Sequence, residues 1–297
     1  MNRSLVRAGS ALLLALAFGV PFGGGAARAA TATDIWFLGT HLILPSAHDR
    51  GDELMVATND SGLARVLQKT GATLAFDPAQ HYVVITSGDR RTITFTLGQT
   101  RVRAGTEELR AAAAPYARDG VAYLPFFTLA RALYLQPVRS DGETVLQPQI
   151  GALVVSTEGK TTIVALHAAI PLSYKRLSGA ANDGVSLAFD GVASQLDPTR
   201  VVNSKALAEV DLYVAGDARR PTTTVNFDGR SGTEHAVLPG HSPNEVVLAF
   251  GPRGIALHGV PVPAQASPER VAEAAVPVAA PVATPSESRP PVVAPSA

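Results

Sequence analysis

The sequence predicts an α+β domain at the N-terminal side, then an all-β sandwich domain, then a disordered Pro/Ala-rich tail. Three observations lead there. Thr92-Ile93-Thr94-Phe95-Thr96-Leu97 alternates apolar and β-branched polar residues with period two, the mark of a half-buried antiparallel strand. Leu63-Ala64-Arg65-Val66-Leu67 and Leu129-Ala130-Arg131-Ala132-Leu133 match, and each sits between a short apolar strand and a strand–turn–strand. Beyond residue 160, short apolar runs recur between turn clusters, as in a sandwich or barrel.

Taken in order, the chain opens with the pattern of an export signal over residues 1–29. Arg3 and Arg7 form a basic start, residues 11–20 an apolar core, and Ala27-Arg28-Ala29 a small-x-small cleavage site. The apolar run is too short to span a bilayer, which needs about 20 residues. A soluble mature protein in the periplasm or cell envelope is therefore expected, with no membrane span. Lysine plus arginine equals aspartate plus glutamate at 25 each, and the signal takes three arginines with it. The mature chain is thus mildly acidic, unlike a nucleic-acid binder. With 0 cysteines, disulfides, thiolate metal sites and thiol nucleophiles are excluded.

Residues 31–150 are read as the first domain. Residues 35–44 form a strand broken by Gly39, residues 46–52 a polar loop, and residues 54–57 a strand. The Arg50-Gly51-Asp52 tripeptide in that loop reads as a solvated turn. Asn59, Asp60 and Ser61 offer N-cap oxygens to a helix ending near Thr70, and Gly71 suits the left-handed position after it. A meander follows through residues 72–76, 82–85 and 92–97. Residues 121–124 form a strand, Pro125 starts a second helix, and residues 136–139 and 144–146 make a hairpin around Asp141-Gly142. The order strand, helix, hairpin thus occurs twice, and the expectation is a duplicated unit closing on one core.

On Tyr123-Leu124-Pro125, Leu129 to Leu133, residues 71–77, the 92–97 strand and Asp119-Gly120, residues 40–150 resemble the copper amine oxidase N-terminal-like domain of exported bacterial proteins. Two positions depart from that family: Phe127 replaces an arginine after the proline, and Tyr134 replaces a glycine after the helix. Such domains do not carry the oxidase's copper, so the resemblance implies neither a cofactor nor amine oxidation.

Ser156 to Lys160 is a polar boundary, and residues 156–258 form the second domain. Strands are expected at residues 162–167, 185–189, 208–214, 223–227 and 246–250. The run Thr162-Ile163-Val164-Ala165-Leu166 and the closing Glu245 to Phe250 make it similar to the AMIN domain, a β-sandwich targeting module. That resemblance implies a place beside cell-wall amidases or in a pilus assembly. Residues 261–297, rich in proline and lacking aromatics, read as an extended arm able to meet a protein partner.

Catalytic motifs are missing: no Gly-x-Ser-x-Gly elbow, no His-Glu-x-x-His helix, no phosphate-binding glycine loop. The 7 histidines are dispersed, with no pair at metal-ligand spacing. Asp52-Glu53 and Glu107-Glu108 read as solvated turn residues. Tyr174, Lys175 and Arg176 form the single aromatic–basic cluster, where a ring could stack on a sugar and cations pair with carboxylates. The expectation is a non-enzymatic, exported envelope protein without metal or cofactor, binding peptidoglycan or an envelope assembly. A regulator of a wall amidase acting in trans, and a hydrolase with an unrecognised site, are the alternatives.

Overall fold

The computed structural model describes residues 33–178 and 183–257. The expected signal and tail lie outside the described residues. The molecule is β-rich and sandwich-like, and four sheets carry most of the chain.

The duplicated α+β domain is overturned. Strands account for 57% of the structure and helices for 10%, and no duplicated strand–helix–hairpin unit is visible. The physical reason lies in where the two hairpins go. Thr73–Asp77 and Tyr82–Thr86 join Thr92–Thr96, Arg101–Ala104 and Glu107–Arg110 in a five-stranded meander. Leu135–Ser140 and Glu143–Glu158 instead enter an eight-stranded sheet that runs on into the second half of the chain. The helices differ too. Ser61–Thr70 is amphipathic and capped at both ends, while Phe126–Ala132 is barely two turns with no side-chain cap from Pro125. Similar local sequence has been drawn into different sheets by long-range pairing.

In the eight-stranded sheet the order is Thr40–Leu44, Thr33–Phe37, Glu143–Glu158, Thr161–Ala168, Glu245–Pro252, Thr233–Leu238, with Leu135–Ser140 and Ala193–Ser194 also on the long strand. Residues 156–160, expected as a boundary, are the end of that 16-residue strand and the turn of its hairpin. Opposite lies a second five-stranded sheet: Lys175–Leu177, Val185–Asp190, Pro221–Gly229, Leu207–Gly216, Thr199–Val201. In Pro221–Gly229 every second residue is buried, so Thr223, Val225 and Phe227 face inward. Phe227 meets Phe250 of the facing sheet, ring centroids 5.6 Å apart. Thr161–Ala168 is buried at every position because it has an apolar layer on each side.

A four-stranded sheet, Tyr116–Arg118, Val121–Pro125, Glu53–Ala57, His48–Arg50, completes the fold. The loop expected over residues 46–52 therefore contains an edge strand, with Gly51 turning it at φ 64°. Asp60 caps the first helix as its sequence suggests, accepting from the Gly62 and Leu63 amides; the same carboxylate takes the Ser46 amide and hydroxyl. Gly62 is there because a Cβ would lie 2.2 Å from the Ile43 carbonyl oxygen.

Glu53 corrects a second expectation. It is only 2% exposed, and its carboxylate accepts the Phe127 amide at 2.7 Å and the Thr128 hydroxyl at 2.9 Å. The second helix, which lacks a cap from Pro125, is capped from a neighbouring strand.

Candidate functional site

The predicted cluster does not form one surface. Lys175, Arg176 and Leu177 are an edge strand, exposed throughout. Lys175 pairs with Asp190 at 2.6 Å, which raises the lysine and lowers the carboxylate from their ordinary values. Arg176 points to the other side and meets His235 Nε2 at 2.5 Å, while Tyr174 leans on Phe189. Ring and cations thus have separate partners.

The four-stranded sheet does gather an aromatic–basic group. Tyr116 and Tyr123 are direct cross-strand partners, so their side chains leave the same face. Their rings stack 5.0 Å apart at 8°. Tyr116 and His48 come from opposite edges of the sheet, yet the Tyr116 hydroxyl lies 2.8 Å from His48 Nε2. The sheet therefore curls until its edges meet through side chains. Arg50 closes the group, its guanidinium 5.1 Å from the Tyr116 ring centre. Burial, and then the neighbouring Tyr123, push the Tyr116 hydroxyl up from its ordinary value, so it stays a protonated donor at neutral pH. Both tyrosines are half-buried and Arg50 is exposed. The stacked rings and the exposed guanidinium beside them bring aromatic surface and positive charge together, while the Tyr116 hydroxyl is taken by His48.

Sequence reading missed this group because its members are 68 positions apart at the His48–Tyr116 contact. One signal was available: Tyr116 and Tyr123 flank Asp119-Gly120, a turn that makes them cross-strand neighbours.

A second polar group is interior. Glu245 accepts the His241 amide at 2.5 Å, with His241 Nδ1 at 3.3 Å and His167 Nε2 at 4.0 Å. Two histidines that looked dispersed thus share a carboxylate. Among the described residues, no group of three or more His, Cys, Asp or Glu could hold a metal ion. Close by, Asn244 donates to the carbonyls of Thr70 and Ala168, tying the first helix to the late strands.

Burial holds the His167 imidazole below its ordinary 6.5, with Glu245 and Asp89 opposing. His235 is also lowered, by burial and then by Arg176. For such bases the unfolded chain takes up protons first as pH falls, so stability is fully present above about 6.5 and lost below it. Thermal melts between pH 8 and 5 should show Tm dropping below pH 6.5, and a shallower drop in His167→Gln. A Tm flat across that interval would contradict the assignment.

A recess of about 190 Å³ lies between Leu153, Leu196, Asp197, Thr199, Arg200 and Leu212. Arg200 spends its Nη1 on the Leu153 carbonyl at 2.7 Å, so the recess is a seam between the facing sheets.

No family model matches the chain, and no curated protein matches it. A solved structure, that of a hypothetical protein from Synechocystis, is similar with 13% identity over 77% of this chain. The match spans 36% of that protein's chain, with a TM-score of 0.26. A likeness that distant carries no argument about fold or function. No helix among the described residues is long and apolar enough to cross a membrane.

Proposed function

We propose that this is an exported, non-catalytic protein of the cell envelope that binds peptidoglycan or an envelope assembly. The binding face is the curled four-stranded sheet, with Tyr116, Tyr123, His48 and Arg50 as contacts. The observation that carries the reading is the Tyr116–Tyr123 stack with Arg50 at its flank on a partly open surface. Aromatic flanks suit sugar rings, and an exposed guanidinium suits the carboxylates of a peptide-bearing wall. Export is supported by the N-terminal pattern, and the choice of wall polymer by the AMIN resemblance.

The test is co-sedimentation of the purified mature chain with isolated sacculi. Retention is expected at low salt, weakened about tenfold by Arg50→Gln, which removes a charge-assisted contact without touching the core. Tyr123→Ala should weaken it further. Protein found wholly in the supernatant at low salt would overturn the proposal, as would full retention of both variants.

A further inference from the structure

The five-stranded meander turns one face to the core and leaves the other bare. Val83, Ile93, Phe95 and Val102 are buried on the inner side. Alternation sends their strand neighbours the other way, and every residue on that outer side is exposed or half-buried. The charge on this open face is uneven. Arg101 and Arg110 are direct cross-strand partners, and Arg103 stands on the same face one step along. Like charges placed directly opposite each other cost stability. Glu108 is the register partner of Arg103 but pairs with Arg101 instead, at 2.9 Å, with both side chains well exposed. An exposed pair contributes little. Arg103 and Arg110 are left with no ion pair among the described residues. The other carboxylate of the face, Asp77, is on the far edge strand, where it accepts the Ala79 amide. Three cations thus face one carboxylate on two adjacent strands, in a chain with 25 basic and 25 acidic residues.

Beside this cationic strip runs a strip of hydroxyls. Thr94 is the register partner of Arg103, and Thr96, on the same face, is the register partner of Tyr82. Neither threonine hydroxyl has a hydrogen-bond partner among the described residues. The two strips are one strand spacing apart, about 4.8 Å, and each repeats every second residue, about 6.7 Å. A partner lying along the strands therefore meets guanidiniums on one side and hydroxyls on the other. A lipid surface is disfavoured, because binding there needs apolar side chains to enter the bilayer. The cationic half carries none, and Tyr82 and Val84 lie across the hydroxyl strip from it. An acidic sugar fits both strips. Its carboxylates suit the guanidiniums, and its hydroxyls, which donate and accept, suit the threonines. The exposed Tyr82 ring ends the Thr96 row with an apolar flank for a sugar.

We propose that the bare face of the meander binds an extended acidic sugar chain, with Arg103 and Arg110 on its carboxylates and Thr94 and Thr96 on its hydroxyls. This face is distinct from the tyrosine face and stands without it.

The test is calorimetric titration of the full chain at low salt with tetragalacturonate and, separately, with phosphatidylglycerol vesicles. Saturable binding of tetragalacturonate is expected, weakened about tenfold in Arg103→Gln and in Arg110→Gln, each of which removes one charge-assisted contact. Thr94→Val, which keeps shape and removes a hydroxyl, should weaken it about threefold. Arg65→Gln, at an exposed position on the first helix, makes the same change of net charge elsewhere and should leave binding unchanged. All four positions are exposed or half-buried, and circular dichroism verifies that the variants fold. No saturable binding up to millimolar sugar, unchanged affinity in the two arginine variants, or an equal loss in Arg65→Gln would overturn the site. Vesicle binding that Arg103→Gln weakens, with tetragalacturonate ignored, would assign the face to a lipid surface and overturn it too. Sacculus retention without tetragalacturonate binding would remove this face and leave the tyrosine face standing. Tetragalacturonate binding without sacculus retention would do the reverse.

Discussion

Replacing Arg91 by methionine should destabilise the protein by about 3–5 kcal/mol, the cost of breaking a buried ion pair by removing one partner. Arg91 Nε donates to Asp89 Oδ2 at 2.7 Å, and the Asp89 side chain is 1% exposed. The same guanidinium donates to the Ala132 carbonyl at 3.0 Å and lies 3.6 Å from the centre of the Tyr134 ring. Burial pushes the Tyr134 hydroxyl up to about 12, with Arg91 opposing. Methionine fills the volume but takes the cation from the buried Asp89 carboxylate, to which the Ser87 hydroxyl still donates. Urea unfolding should show a lower midpoint with unchanged slope. A loss under about 1 kcal/mol would mean the pair is solvated and contributes like a surface bridge. The double variant Arg91→Met/Asp89→Leu should recover part of the loss, since it removes the stranded charge.

Glu53→Ala should cost about 2–4 kcal/mol. It strands two donors, the part-buried Phe127 amide and the buried Thr128 hydroxyl, at up to about 1–3 kcal/mol each before any relaxation. It also removes a negative charge from a helix N-terminus, worth roughly 0.3–1 kcal/mol. Glu53→Gln separates these effects: its amide oxygen can keep one bond, so its loss should be about half that of alanine. Hydrogen exchange read at Phe127 would show the amide opening first. Equal losses for Ala and Gln would place the effect in charge alone.

Tyr134 shows how far a local departure can be read. The residue stands where a left-handed conformation is required, φ 58°, and a side chain is rarely placed there without a reason. The reason is tertiary: the ring lies against Gly151, where a Cβ would come within 2.0 Å of it, and Arg91 covers the other side. The sequence marks the oddity, since glycine is the usual solution, but Arg91 and Gly151 can be found only in three dimensions.

The same division holds across the chain. Alternation and turn residues place most strands within a residue or two, because period-two burial and glycine turns are local physics. A cap among Asn59, Asp60 and Ser61 was legible for the same reason, and Asp60 is the one that serves. Sheet membership was not, since it depends on pairings such as Thr33–Phe37 with residues 144–146, over a hundred positions away. Strand Thr233–Leu238 escaped notice because His235 and Glu234 interrupt its apolar pattern. Of the site residues, Tyr174, Lys175 and Arg176 stood out by adjacency, and adjacency on a strand sends neighbours to opposite faces.

The strand Glu143–Glu158 has a mechanical consequence. At about 3.3 Å per residue its length is roughly 50 Å, far beyond an ordinary strand. It is bonded in sequence to Thr33–Phe37, Leu135–Ser140, Thr161–Ala168 and Ala193–Ser194, which belong to early, middle and late parts of the chain. A pull directed along this strand would load its bonds to these neighbours in shear, so that many must fail together, instead of unzipping one pair at a time.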